Sequence, residues 1–313
     1  MKKFLIVGFI FALCLCFTGC NNPDGNIDSS TSSSDTISDE ISDGLSDMMP
    51  SSDKSSESSE SHSSSTDSDS QPANTQPAEI DVEALSCLDN TKKCWGQGKN
   101  VDETNRPTGC LQYQDLYGDY DAYFIGEQEK NIYLTFDEGY ENGYTSQILD
   151  TLKEKEVSAV FFVTYDYCDR NPDLVKRMIQ EGHVVGNHSW SHPSMPTIDV
   201  EEAADEILKL HDYVKENFSY EMTLFRPPMG EFSEQTLALT QQLGYKSVFW
   251  SYAYEDWDPD NQMGAEAAFE KTTAAEHEGA IYLLHAVSKD NAEILGDLID
   301  DMRANGYTLK ALA

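Results

Sequence analysis

The chain has 313 residues, with 56 acidic against 21 basic side chains and a formal net charge of −35 at neutral pH. Such an excess of anions makes nucleic acid, whose phosphates attract basic faces, a poor partner. The length is more than one domain needs, and composition divides it unevenly.

Residues 1–19 open with Lys2 and Lys3, continue with an apolar run from Phe4 to Phe17, and end in small residues before Cys20. This is the pattern of a secretion signal, too short for a convincing membrane span. The ending F-T-G-C resembles a lipobox, with Phe17 where Leu is usual, so a lipid on Cys20 is expected to hold the chain on the outer face of a bacterial cell membrane. An ordinary cleaved signal and an uncleaved anchor are the alternatives. Residues 20–80 are rich in Ser and Asp, and Lys54 is their only Lys or Arg. A segment this polar cannot bury enough surface to offset its ordering entropy, and it is expected to form a disordered, self-repelling tether. An acidic interaction tail is the competing reading. From Asp81 onward, 43 acidic residues face 18 basic ones, leaving about −25 on the part expected to fold.

Residues 81–130 form a lead-in expected to pack on the domain that follows. Cys87, Cys94 and Cys110 crowd this segment. In an exported protein one disulfide among them is expected, with the pairing open and Cys168 as a further thiol. A zinc site built on these cysteines is disfavoured, since no His accompanies them and the spacing is not C-x-x-C.

From Asn131 to the end the pattern alternates. Apolar runs at Ile132–Phe136, Ala159–Val163, Val184–Gly186, Leu224–Arg226, Lys246–Trp250, Ala280–Leu284 and Thr308–Lys310 read as strands. Helical stretches separate them: Thr145–Lys155, a helix opened by Asn171 and Pro172, one capped by Asp199 with Glu202, Ser233–Leu243, Ala265–His277 and Asp290–Asn305. Gly182, Gly244 and Gly306 are their stops. About seven βα units predict an α/β fold, a distorted (β/α) barrel with helices outside.

Polar residues gather where these strands end: Asp137 and Glu138, His188 and His192, Arg226, Asp256, and His285. Reactive groups at the C-terminal ends of successive strands mark a barrel active site. Two imidazoles at i and i+4 with a neighbouring carboxylate suit a divalent ion, zinc or similar. His183, His211 and His277 lack such company and are expected at the surface or at caps.

In this order the motifs T-F-D-E (Thr135–Glu138), H-S-x-x-H (His188–His192), R-P-P-x-G (Arg226–Gly230), D-W (Asp256, Trp257) and the strand ending in His285 resemble the polysaccharide deacetylase family, the NodB-homology carbohydrate esterases. The resemblance covers Asn131 to Leu312. It implies a metal-dependent hydrolase that removes acetyl groups from extracellular glycans on a distorted (β/α) barrel. Residue by residue it implies Asp137 as general base, His188 and His192 as metal ligands, and position 138 as the third ligand. It implies Arg226 as the group orienting the base, the Met229 N–H as oxyanion donor, and His285 as general acid. Tyr140, Asn142, Pro228, Asp256 and Trp257 are the substrate-binding candidates. Glu138 departs from the family's Asp, so it is expected beside the ion, as a weak ligand or holding a water. Ala253 replaces another family Asp.

The run Gly139–Tyr144, Ala253, and S-K-D-N-A-E at Ser288–Glu293 are similar to one branch, the delta-lactam-biosynthetic, muramic-acid-directed deacetylases. That implies peptidoglycan as partner and N-acetylmuramic acid as the sugar, the freed amine closing a lactam in spore cortex. The alternatives are deacetylation of N-acetylglucosamine, an O-acetyl xylan esterase, and a lipid-anchored glycan-binding protein without catalysis.

Overall fold

The computed structural model describes residues 80–312, so the expected signal, the lipidation site Cys20 and nearly all of the tether lie outside the described residues. A lead-in of α1 (Val82–Ser86), β1 (Lys93–Cys94), α2 (Thr108–Tyr117) and β2 (Ala122–Tyr123) precedes the alternating part. There follow β3 (Asn131–Glu138), α3 (Thr145–Glu154), β4 (Val160–Val163), α4 (Tyr165–Arg170), α5 (Pro172–Gln180), β5 (Val184–Asn187), α6 (Val200–Phe218) and β6 (Leu224–Phe225). The chain ends with β7 (Glu231–Phe232), α7 (Glu234–Gln242), β8 (Lys246–Val248), α8 (Ala265–Thr273), β9 (Ala280–His285), α9 (Lys289–Ala304) and β10 (Thr308–Leu309).

The main sheet is parallel throughout and curls in the order β9-β3-β4-β5-β6-β8. Its seam is narrow: beyond β8, Ser251 N–H donates to the Ile281 carbonyl at 2.9 Å and Leu283 N–H to the Tyr252 carbonyl at 2.8 Å. The expected distorted barrel is therefore present. The lead-in does more than pack on it, because β2 pairs with β8 as a further parallel strand and β1 pairs antiparallel with β7.

Strand alternation sorts the core into two faces. Ile132, Leu134 and Phe136 point outward and join Phe161, Val163, Leu284 and the apolar faces of α3, α6 and α9. Tyr133, Val160, Phe162, Leu224, Val248 and Ile281 fill the barrel interior. Helix boundaries follow local chemistry: Thr164, Asp199, Ser233 and Ser288 side chains cap α4, α6, α7 and α9 by accepting backbone N–H groups. The turn after α5 passes through Gly182 at φ +81°, a left-handed conformation that costs glycine no Cβ clash.

Two expectations fail, and one helix was not foreseen. The disulfide does not form: Cys87 and Cys110 are free thiols, as is Cys168. The Cys94 thiol lies 3.7 Å from a Glu231 carboxylate oxygen, while Cys110 is sealed among Trp95, Phe124 and Trp250. His183 and His277 are buried, not surface residues. His277 holds the seam with Nε2 2.8 Å from the Ser251 hydroxyl, which also accepts the Ile281 N–H. Finally, α4 had no clear signal of its own, its six residues being too few to show a period.

Candidate active site

Because every main strand runs the same way, the polar residues that end them meet at one mouth of the barrel. Asp137 is the penultimate residue of β3, His188 follows β5, Arg226 follows β6, Asp256 lies beyond β8 and His285 ends β9. Asp137, His188 and His285 line a cleft of about 510 Å³, with Arg226 and Asp256 buried behind them. Asp137, His188, His192 and His285 form its polar floor, and Tyr140, Met229 and Trp257 are its exposed rim.

Arg226 fixes the floor. Its Nη1 donates to Asp137 Oδ1 at 2.7 Å, while Nε and Nη2 donate to the Val248 and Phe249 carbonyls, each at 3.1 Å. Its guanidinium carbon also lies 4.2 Å from the centroid of the Phe162 ring. Arg226 is fully buried, so its charge depends on Asp137, and removing one partner of such a pair costs about 3–5 kcal/mol. Burial alone would raise the Asp137 carboxyl. Arg226, His188 and His285 outweigh burial and hold it below the ordinary carboxylate range.

His188 and His192 stand beside this pair. His188 Nδ1 lies 2.8 Å from the Arg226 carbonyl, which accepts its proton and leaves the Nε2 lone pair facing the cleft. That Nε2 is 3.2 Å from His192 Nε2 and 3.5 Å from Asp137 Oδ2. Burial pushes His188 down to about 4 and lowers His192 as well, so both rings are neutral near pH 7. Their loop is bent to fit: Ser189 and His192 have φ of +68° and +60°, and Ser189 Oγ accepts the His192 N–H at 2.9 Å. Two neutral imidazoles converging on one point are a donor set that fits a borderline divalent cation. Among the described residues no third His, Cys, Asp or Glu completes a three-ligand cluster with them.

Glu138 is not that third residue. It follows Asp137 on an extended strand and so shares the outward face of Ile132, Leu134 and Phe136. Completely buried, its carboxyl has Oε1 3.5 Å from the Thr145 hydroxyl and Oε2 without a hydrogen-bond partner. Burial, with Glu141 and Asp137 nearby, raises its pKa well above the ordinary value.

Across the cleft, His285 Nδ1 donates to Asp256 Oδ1 at 2.7 Å and His285 N–H donates to Oδ2 at 2.8 Å. Burial works against the imidazolium, yet Asp256, with Asp137 farther off, raises the His285 pKa above its ordinary value. The expectation that Asp256 binds substrate is thus corrected: its side chain is buried and spent on His285. Two other candidates also miss the cleft. Asn142 Nδ2 donates to the Val287 carbonyl at 2.9 Å, tying the loop after β3 to the loop after β9. Pro228 is buried, and Pro227 lines the cleft in its place.

Met229 lines the rim at φ +57° in the loop after β6. There Gly230 is required, because an added Cβ would sit 2.6 Å from the Trp250 ring. The apolar wall of Trp250, Ala253, Tyr254, Leu283 and Val287 was not anticipated from sequence. Trp250 is buried, but one edge faces the cleft, steadied by its Nε1 donating to Gln97 of the lead-in at 3.0 Å.

The model of the family described as polysaccharide deacetylase matches residues 125–248. An uncharacterized 30.6 kDa protein of Geobacillus stearothermophilus is 49% identical over 220 residues, 70% of this chain and 83% of that protein. The peptidoglycan-N-acetylmuramic acid deacetylase PdaA of Bacillus subtilis is 44% identical over the same length, 70% of this chain and 83% of PdaA. The solved structure of Bacillus subtilis PdaA, described as a family 4 carbohydrate esterase, superposes with a TM-score of 0.68 at 43% identity, covering 72% of this chain and 96% of that one.

Proposed function

The chain belongs to the polysaccharide deacetylase family, and from that premise we propose that it is a metal-dependent hydrolase removing the N-acetyl group of N-acetylmuramic acid in peptidoglycan. One observation carries the proposal: an ionised Asp137 held by Arg226 faces, across a single cleft, an imidazole held by Asp256. Such a pairing of a depressed carboxylate with a raised imidazole is what base and acid roles require at one pH.

His188 and His192 would hold the ion. When bound, it supplies polarisation of the acetyl carbonyl and lowers the pKa of a water, without which an amide resists attack at neutral pH. Asp137 takes the proton of the attacking water, and Arg226 keeps that carboxylate ionised and aimed. The Met229 N–H donates to the oxyanion that develops on the acetyl carbonyl oxygen, a contact whose loss typically costs about 10²–10³ in rate. His285, protonated, gives its proton to the departing amine, and Asp256 stabilises the imidazolium before transfer. Tyr140 and Trp257 on the rim offer apolar faces to a sugar ring.

The choice of muramic acid rests on the printed activity of the 44% identical relative. Mass spectrometry of peptidoglycan fragments incubated with the zinc-loaded protein tests it: loss of acetyl from muramic acid is expected. Loss from glucosamine alone would make the protein a glucosamine deacetylase, and loss from neither would leave a glycan-binding role. We place the chain at the outer face of the cell membrane through a lipid on Cys20. Metabolic labelling with a fatty acid, lost in Cys20→Ser, tests that placement.

A further inference from the structure

Beyond the residues that face the cleft, Asn291 in the first turn of α9 contacts both members of the Asp256–His285 pair. Its Nδ2 donates to Asp256 Oδ2 at 2.6 Å and to the His285 carbonyl at 3.1 Å. Its Oδ1 accepts the Tyr254 hydroxyl at 2.5 Å, and its own N–H donates to the capping Ser288 Oγ at 3.1 Å. Every polar atom of the side chain is therefore used, and the residue is 2% exposed.

The partners of Asp256 show what this arrangement does. Two of its side-chain hydrogen bonds come from His285 itself, one from the ring and one from the backbone. The third comes from Asn291, and among the described residues no Lys or Arg forms an ion pair with Asp256. Apart from the ring and backbone N–H of His285 itself, Asn291 is the one residue whose side chain braces this buried carboxylate among the hydrogen bonds of the described residues. We propose that Asn291 is a positioning residue for the reaction: by donating to Asp256 Oδ2 it locks the carboxylate that turns the His285 ring toward the cleft, and the Tyr254 hydroxyl holds the amide in place. The titratable and charged groups that act on His285 from other elements are Asp137 and His192, which line the cleft, and Arg226 behind them, and none forms a hydrogen bond with Asn291. An Asp at 291 would have the same shape but would set a second acceptor against Asp256, so the brace depends on the amide N–H groups rather than on volume.

This inference rests on the deacetylase reading. Its test uses the zinc-loaded full chain, acetate release from peptidoglycan fragments, and proton NMR of the His285 Nδ1–H. Asn291→Leu should lower kcat about tenfold to a hundredfold with KM within about twofold, the scale of losing an orienting partner. Asn291→Asp should fall as far or farther, and Tyr254→Phe about threefold. The downfield Nδ1–H signal should move upfield or broaden in all three. Unchanged kcat and an unchanged signal in Asn291→Asp would overturn the proposal. Should Asn291→Leu fail to fold, Tyr254→Phe carries the same two readouts. An inactive wild type whose signal still responds would sink the deacetylase reading while leaving the brace standing.

Discussion

Asp137 and Glu138 are consecutive carboxylates on one strand, and they occupy opposite electrostatic worlds. Inside the barrel mouth, Asp137 meets Arg226 at 2.7 Å and is kept ionised in spite of its burial. Outside, under α3 and α4, Glu138 meets neutral hydroxyls, Thr145 at 3.5 Å and Tyr167, and two like charges, and is pushed toward its neutral form. Burial is complete at Glu138 and nearly so at Asp137, so burial does not separate them. The separation comes from the cation, and the cation is available on one face only.

The largest effect that sharpens this contrast is Asp137→Asn. It removes the proposed base and leaves Arg226 buried without its partner, so activity should fall by about 10³ or more and stability by about 3–5 kcal/mol. Acetate release and urea unfolding measure the two. An active, equally stable variant would mean that Asp137 is neither base nor counter-charge.

Asp256→Asn comes next. The rate should fall on the acid side as Asp137 takes a proton and on the alkaline side as His285 loses one. Because Asp256 raises the His285 pKa, losing its charge lowers that pKa, and the alkaline limb should move to lower pH with kcat down about a hundredfold. The stability that the charged His285 contributes is complete below its unfolded pKa and fades as pH rises through the higher folded one. A pH profile whose alkaline limb stays in place would reassign the acid.

Zinc titration compares the two faces directly. His188→Ala should abolish binding, whereas Glu138→Ala should change affinity by less than about threefold, since its carboxyl lies on the helix side of the strand. Loss of zinc in Glu138→Ala would place that carboxyl in the mouth after all.

The smallest and most diagnostic change is Glu138→Gln. With the folded pKa above the unfolded one, Glu138 weakens the fold progressively as pH rises above its ordinary value of 4.5. The neutral amide removes that penalty, so thermal unfolding at pH 7 should show a gain on the order of 1–3 kcal/mol, absent at pH 4, with activity nearly unchanged. Equal stability at both pH values would show Glu138 to be ionised at no cost.

Much of the fold was legible because it rests on local chemistry. The alternation of apolar runs, the cap at Asp199 and the stop at Gly182 act within a few residues, and each appears where expected. So does the gathering of Asp137, His188, Arg226 and His285, because parallel strands must deliver their ends to one mouth. The placement of Glu138 on the outward face also follows from strand alternation, against the ligand role that family likeness implies. Tertiary structure alone decided the pairings across long separations. Arg226 reaches Asp137 over 89 positions, Asp256 reaches His285 over 29, and Asn291 reaches Asp256 over 35. It also decided which histidines are buried and that Cys87 and Cys110 stay free. Those facts depend on which surfaces the packed barrel seals from water, and no short window of sequence contains that information.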